Sequence, residues 1–312
     1  MATSAPFSPT PEVNPQPSPA KGLKQRLAGL IQPFILLAPA GVWLLLLLVV
    51  PTLMILELSL IPGFRPGSQP GAYGLGNYGK IFELIDGQAI YLWVIGRSVF
   101  FAIASTLLCL LLGFPVAYWI AVMSPDRWRN LLLVSFVLPL WTSSLLRSYA
   151  WITILRPSGV LNSLLSALRL PTLDILNTQT AVMIGLAYNF LPYMVLILYA
   201  SLERLDKRLL EAAADLGATP QQGFWKVTVP QTLPGIAAAS LLVFITSLGD
   251  FVVPELLGGA SSMTMARLIY NQFLGATRNW GFGSALSMVL IGAMGLGILL
   301  LLKYGDRKLE NY

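Results

Sequence analysis

Long apolar runs separated by short polar segments dominate the chain, and the lengths of these runs predict its secondary structure. A helix needs about 20 apolar residues to cross a hydrocarbon core of about 30 Å. Six runs meet that requirement, and they cover residues 33–58, 96–122, 130–154, 179–201, 234–256 and 281–303. The sequence therefore predicts an all-α integral membrane protein with six transmembrane helices.

The N-terminal segment differs from these runs. Repeated Pro, Ser and Thr with few large apolar residues predict a disordered tail over residues 1–30, followed by a transmembrane domain over residues 31–312. The apolar run that begins near Pro33 exceeds the length of a signal-peptide core and lacks a small-residue cleavage site. We therefore expect it to remain as an anchor.

The positive charges flank the spans unevenly, and this bias predicts the orientation. Lys and Arg next to the spans are retained in the cytoplasm, and an even number of crossings places both termini on one side. The richer set is Lys21, Lys24, Arg26, Arg127, Arg129, Arg204, Lys207, Arg208, Lys226, Lys303, Arg307 and Lys308, whereas the opposite loops hold Arg65, Lys80, Arg156, Arg169, Arg267 and Arg278. Both termini are predicted to be cytoplasmic.

Composition supports a membrane protein and narrows its chemistry. Hydrophobic residues make up 55% of the chain, charged residues make up 11%, and the mean hydropathy is +0.70. Histidine is absent and Cys109 is the single cysteine, which excludes a disulfide framework and argues against a metal site or a cofactor. The net charge of +6 is scattered through short loops, so it indicates orientation in the lipid bilayer and no nucleic acid partner.

The sequence has no phosphate-binding motif in the context that such a motif needs. The chain contains no G-x-x-x-x-G-K-[ST] loop, so any ATP must be bound by a partner subunit. The run GLGNYG at Gly74–Gly79 fits G-x-G-x-x-G by letter. No strand is predicted before it and no βαβ unit surrounds it, so we interpret the match as chance.

A polar segment between the fourth and fifth spans predicts two short helices. Residues 203–216 contain helix formers throughout, with an apolar stripe predicted to face inward. Gly217 is expected to end this helix, and Thr219 to cap a second one with Pro220 at its first position. We expect Pro230 and Pro234 to end the second helix before the fifth span. The stripe is Leu205, Leu209, Ala212, Ala213 and Leu216.

The register of this segment, residues 203–234, is similar to the EAA loop of permease subunits in ABC importers. That motif reads EAA, three residues, G, nine residues and then I-x-L-P, and we call residues 203–234 the EAA loop. The resemblance implies that the loop forms coupling helices that insert into a cleft on the ATPase subunit. The matching positions are Glu211, Ala212, Ala213, Gly217, Val227, Val229 and Pro230, with Val at both apolar positions before the proline.

The resemblance extends from about residue 31 to the C-terminus. The runs LPLWTSSLLRSYAW (138–151), SLERLDKRLLEAAADLGAT (201–219) and GDFVVPELLGG (249–259) are similar to permeases of spermidine and putrescine importers. This likeness implies a type I importer permease fold in the inner membrane, with a second permease, two ATPase subunits and an extracytoplasmic substrate-binding protein as partners. It also implies that this subunit catalyses no reaction. Identical or different permeases in the pair both remain open.

Charges inside the spans are candidates for a substrate path, because they are costly in lipid. Asp250 is the first candidate for a cationic cargo, at roughly 24 Å along the fifth span, with Pro254 expected to break the helix beyond it. An interfacial position or a pair with Arg147 is the alternative. Glu57 is a second acidic candidate. An anionic cargo would favour Arg97 and Arg147, so ferric iron, opine, sulfate or thiamine importers remain alternatives.

Aromatic residues near the span ends are further candidates for a path that carries cations. Tyr149 and Trp151 offer cation–π faces for an ammonium group, although aromatics near span ends are also typical of the interfacial belt, as for Tyr188 and Tyr193. The alternative interpretation of the EAA loop is a pair of amphipathic helices bound to the membrane surface. A channel needs a repeated pore segment and a membrane enzyme needs an acid–base or metal cluster, and the sequence favours neither.

Overall fold

The computed structural model describes residues 37–69 and 71–306, so the predicted tail and the start of the first predicted span lie outside the described residues. The described chain folds into helices and loops, with one isolated bridge between Ile85 and Gln88. The described part of the chain divides into two compact units, with the boundary between Leu53 and Met54. The boundary between them falls within the first long helix.

Twelve helices make up the described part of the chain. The long ones are apolar enough to cross a membrane, and the short ones lie in the connections between them. They are α1 (Leu37–Ser59), α2 (Gly76–Ile81), α3 (Ile90–Met123), α4 (Asp126–Trp141), α5 (Ser144–Leu155), α6 (Val160–Ala167), α7 (Gln179–Glu203), α8 (Lys207–Asp215), α9 (Pro220–Gly249), α10 (Val252–Leu257), α11 (Met265–Leu274) and α12 (Trp280–Asp306).

Helix α1 exposes its apolar side chains. Leu37, Trp43 and Leu47 are each more than 60% exposed, and none of the residues in the most apolar window of α1 is buried. Membrane helices gain stability from lipid contact on such faces, and from packing where a neighbour is present. The predicted first span is confirmed over residues 37–58.

Helices α3, α7 and α9 pack against one another and form the centre of the second unit. Cys109, Met194 and Val243 are fully buried where the three helices meet. Small residues allow the close approach, since a Cβ at Gly235 of α9 would overlap the side chain of Ser201 on α7. Helix α12 contacts α9 and α11 at the side of this bundle.

The third predicted span is wrong as a single helix. Helix α4 ends at Trp141, and the segment Ser144–Ala167 continues at an angle of 93°. Pro139 lies in the tightened last turn of α4, Leu138–Trp141. The two residues that follow this helix, Thr142 and Ser143, have ψ of 145° and 139° and do not continue it. The Thr142 hydroxyl donates to the carbonyl oxygen of Pro139 at 2.8 Å. This bond therefore satisfies a backbone carbonyl group that has lost its helical partner at the bend.

The fifth predicted span is also wrong in its boundaries. Helix α9 runs from Pro220 to Gly249 without ending at Pro230 or Pro234. A wide π-type turn over Phe224–Thr228 precedes Pro230, and such local adjustments let membrane helices accommodate proline. The second helix of the EAA loop and the fifth span are thus one helix of 30 residues.

The break in this region occurs earlier than Pro254. Helix α9 ends at Gly249, Asp250 is extended with ψ of 121°, and Pro254 lies inside α10. Pro254 occupies the first turn of α10, where backbone N–H groups have no carbonyl partner within the helix. The missing N–H of proline therefore costs no hydrogen bond there. The predicted break at Pro254 is therefore wrong.

The GLGNYG run lies in the connection between α1 and α3. It overlaps α2, and the side-chain amide of Asn77 donates to the carbonyl oxygens of Ser59 and Ile61 at 2.9 and 3.0 Å. Asn77 is fully buried. The run follows a loop and not a strand, as the interpretation of a chance match requires.

Candidate functional site

The EAA loop contains two helices joined by a sharp turn, but its first helix begins later than predicted. Helix α7 ends at Glu203, and α8 starts at Lys207 after a break. Asp206 caps α8, because its Oδ1 accepts a hydrogen bond from the backbone N–H of Arg208 at 3.0 Å. The prediction of one helix over residues 203–216 is wrong, since this cap starts a new one.

Gly217 ends α8 as predicted. Its φ is +82°, a conformation that residues with a Cβ rarely adopt. The backbone N–H groups of Gly217 and Ala218 donate to the carbonyl oxygens of Ala214 and Ala213, each at 2.9 Å. These bonds satisfy the last carbonyls of α8, so the turn is closed by the backbone itself.

Thr219 starts α9 through a reciprocal cap. The Thr219 hydroxyl accepts from the backbone N–H of Gln222 at 3.3 Å, and the Gln222 side chain accepts from the N–H of Thr219 at 2.9 Å. Pro220 occupies the first helical position. Both predictions for this turn are confirmed, and the turn between α8 and α9 is fixed at both sides.

The apolar stripe of α8 mostly faces outward. Leu205 is buried, but Leu209 is 41% exposed and Leu216 is 89% exposed. Glu211 and Ala212 are exposed too, and Ala213 is half-buried. The predicted inward stripe is wrong for Leu209, Ala212 and Leu216, because α8 has nine residues and its main contact is with the first turns of α9.

Aromatic packing holds the second helix of the loop against the bundle. The ring of Phe224 lies 5.7 Å from that of Phe114 and 5.3 Å from that of Tyr118, both on α3. The Trp225 ring lies 5.2 Å from that of Phe224, edge to face, and Trp225 is 66% exposed. Pro230 is exposed further along α9. The loop therefore presents a firmly seated surface with protruding apolar side chains, which is typical of a docking site.

Asp250 lies at the break between α9 and α10. Its Oδ1 accepts hydrogen bonds from the backbone N–H groups of Val252 and Val253 at 2.7 and 3.3 Å, and the residue is half-buried. The carboxylate thus caps α10. Arg147 lies on α5, which packs against α10, so the two charged residues are on neighbouring helices. The two form no ion pair within 4.0 Å in the described chain.

Three further polar groups lie on α5 and α7, the two helices that pack against α10. Ser144 and Arg147 lie on one face of α5, and the side-chain amide of Asn189 on α7 donates to the Ser144 hydroxyl at 3.4 Å. Helix α5 also packs against α10 and α7. We call Ser144, Arg147, Asn189 and Asp250 the polar cluster. Asn189 and Ser144 were missed from the sequence, although a polar amide in an apolar span is itself a signal.

The aromatic candidates separate in the structure. Trp151 continues the α5 face of Ser144 and Arg147, and its ring lies 5.4 Å from that of Tyr188 in an edge-to-face arrangement. Tyr149 lies on a different face and is 55% exposed. Tyr193 is 39% exposed and packs near Phe190. Trp151 is thus beside the polar cluster, whereas Tyr149 is not.

The other charged candidates have partners elsewhere. Glu57 is exposed and accepts a hydrogen bond from the Tyr73 hydroxyl at 3.0 Å. This bond and the carboxylate charge raise the pKa of the Tyr73 phenol above its ordinary value. Arg97 donates to the carbonyl oxygen of Ser261 and borders an open groove of about 850 Å³. Neither Glu57 nor Arg97 has a hydrogen bond to the polar cluster among the described residues.

Comparison with known proteins assigns the chain to a family. Residues 110–310 match the family described as binding-protein-dependent transport system inner membrane component. The chain is a member of this permease family. The match includes the EAA loop and all four residues of the polar cluster.

Curated relatives resemble the permease over most of its length. It is 40% identical over 273 residues to the spermidine/putrescine transport system permease protein PotB of Haemophilus influenzae, covering 86% of this chain and 92% of the relative. It is also 40% identical over 261 residues to PotB of Escherichia coli K12, covering 82% and 92% of the two chains.

Solved structures share the fold of this permease. A chain of a bacterial alginate ABC transporter, crystallised in complex with an alginate pentasaccharide-bound periplasmic protein, aligns with a TM-score of 0.74. The alignment covers 91% of this chain and 96% of that chain at 17% identity. The predicted type I ABC importer permease fold is therefore confirmed.

Proposed function

We propose that the permease forms one half of the translocation path of an ATP-driven importer of polyamines, with spermidine and putrescine as the cargo. The 40% identity to PotB over nearly the whole of both chains carries this proposal. Spermidine and putrescine are polycations, so a path for them needs carboxylate or aromatic surfaces that bind weakly enough to release the cargo.

Coupling to ATP is assigned to the EAA loop. Glu211, Ala212, Ala213, Gly217 and Pro230 lie on or beside a surface that two caps and the Phe224 packing hold rigid. Its exposed side chains include Leu216 and Trp225. A rigid surface with exposed apolar side chains suits insertion into a cleft of an ATPase subunit, because little conformational entropy is lost on docking. An interfacial role is disfavoured, since Phe224 is occupied by α3.

The substrate path is assigned to the polar cluster. Asp250 supplies a carboxylate in a half-buried position, and the Trp151 and Tyr188 rings lie on the neighbouring helices α5 and α7. An ammonium group can contact a carboxylate and an aromatic face at the same time. Tyr149 and Glu57 remain weaker candidates, since the structure places both away from this cluster.

Orientation and partners complete the proposal. The EAA loop and both termini face the cytoplasm, where ATPase subunits bind, and a second permease supplies the other half of the path. A substrate-binding protein docks on the opposite side. ATP binding stabilises one arrangement of the helices and hydrolysis restores the other, so transport follows from differential stabilisation of two conformations.

The test is reconstitution of the full complex in proteoliposomes. The permease, a second permease, the ATPase subunits and the binding protein are expected to take up radiolabelled spermidine or putrescine only when ATP and the binding protein are both present. Matched controls omit the binding protein or replace ATP with a non-hydrolysable analogue. ATP-dependent uptake of ferric iron, an opine, sulfate or thiamine, with no polyamine uptake, would contradict the proposed cargo.

A further inference from the structure

Arg147 has an unusual environment for a guanidinium group. Its Nε and Nη1 atoms are buried, and no described residue accepts a hydrogen bond from either atom. Two buried guanidinium nitrogen atoms without acceptors are destabilising, because they lose the solvation of water without a replacement. Arg147 therefore needs an acceptor that this conformation does not bring into contact.

The polar cluster contains acceptors with spare capacity. The side-chain oxygen of Asn189 is buried and has no donor among the described residues. Asp250 accepts both of its described hydrogen bonds through Oδ1, which leaves Oδ2 without a described donor. Asp250 is the stronger acceptor because it is charged, and bonds between a guanidinium and a carboxylate are shorter and stronger than neutral ones.

The two charged groups lie on different structural elements. Arg147 is on α5, which follows the bend at Thr142 and Ser143. Asp250 is at the end of α9, whose other end carries the EAA loop. A displacement of α9 relative to α5 therefore changes the distance between the guanidinium and the carboxylate.

We propose that Arg147 is a built-in counter-cation for Asp250, which pairs with the carboxylate in a second arrangement of α5 and α9 and is displaced there by a substrate ammonium group. This inference rests on the proposed role of Asp250 in the polyamine path. The exchange replaces one cation by another, so the carboxylate is compensated both before and after the substrate passes. It also weakens substrate retention, because Arg147 competes for the same oxygens.

A double-mutant cycle in the reconstituted complex tests the pairing. Arg147→Gln removes the charge, Arg147→Lys keeps it as the matched control, and Asp250→Asn removes the acceptor charge. We expect Arg147→Gln and Asp250→Asn each to lower maximal spermidine uptake about tenfold, and Arg147→Lys to stay within about threefold of the unaltered complex. The double variant is expected to be no slower than the slower single variant, because each residue acts through the other.

The outcomes separate this inference from the proposed function. Single effects that multiply to about a hundredfold loss in the double variant overturn the pairing but leave polyamine import intact. Normal uptake by Arg147→Gln would also overturn the pairing and leave polyamine import intact. Absence of ATP-dependent polyamine uptake by the unaltered complex contradicts the proposed function itself. If Arg147→Gln fails to assemble, the pairing predicts that adding Asp250→Asn restores assembly, and failure to restore it overturns the pairing.

Discussion

Replacing Gly217 by leucine separates the docking role of the EAA loop from its contribution to folding. Gly217 has a φ of +82°, and a Cβ added there meets no atom within 4 Å. The cost within the chain is therefore backbone strain alone, about 1–2 kcal/mol for a residue with a Cβ in this conformation. A docked ATPase subunit would meet the added side chain directly.

Gly67 provides a matched control. Its φ is +83°, it also has open space around its Cβ position, and it lies in the connection between α1 and α2. Gly67→Leu and Gly217→Leu should therefore cost the same strain and lower the melting temperature by a similar amount, about 2–8 °C. Only Gly217→Leu is expected to reduce uptake and ATPase stimulation, by at least about tenfold, since a clash in a buried interface exceeds 1.4 kcal/mol.

The assay measures ATP-dependent uptake and ATPase stimulation by the loaded binding protein, together with the thermal stability of the purified complex. Gly217→Asn is a second control, because asparagine tolerates this backbone conformation better than other residues with a Cβ. Unimpaired uptake and unimpaired ATPase stimulation in Gly217→Leu would refute the coupling role. Equal transport defects in Gly67→Leu and Gly217→Leu would attribute the effect to strain.

Further predictions follow from single positions. Asp250→Asn should keep the cap on α10 while reducing polyamine uptake, whereas Asp250→Ala should also lower stability by about 1 kcal/mol; unchanged uptake by Asp250→Asn would remove this residue from the path. Leu216→Glu should change stability by less than about 0.5 kcal/mol, yet abolish co-purification with the ATPase subunits. Gly235→Leu should lower the melting temperature, because its side chain overlaps Ser201 and overpacking costs about 1–3 kcal/mol, whereas Gly292→Leu, with no atom near its Cβ position, should not.

The turn at Gly217 and Thr219 was predictable because its determinants are local. A glycine with positive φ and a Thr–Pro start depend on a few neighbouring residues, and their signals are the same in any surrounding fold. The apolar runs were predictable for a similar reason, since the thickness of the bilayer sets their length. The turn alone does not indicate a binding partner. The resemblance of the loop to the EAA motif indicates an ATPase subunit as that partner.

The bend after Trp141 and the continuity through Pro230 were not predictable from local signals. A proline marks a place where a helix can break, but neighbouring helices and a wider turn decide whether it does. The outward position of Leu209 and Leu216 was missed because an apolar stripe does not specify what covers it. Only Arg147 and Asp250 of the polar cluster were predicted, because Asn189 and Ser144 are brought together by packing between distant segments.

The unbroken course of α9 has a mechanical consequence. Its 30 residues span about 45 Å at about 1.5 Å per residue. Such a rod behaves as a lever, so a tilt of about 5° around Thr219 would carry the far end about 4 Å sideways over that length. That travel exceeds the length of a hydrogen bond, so in the proposed coupling a small movement of a docked ATPase subunit would make or break a contact deep in the bilayer.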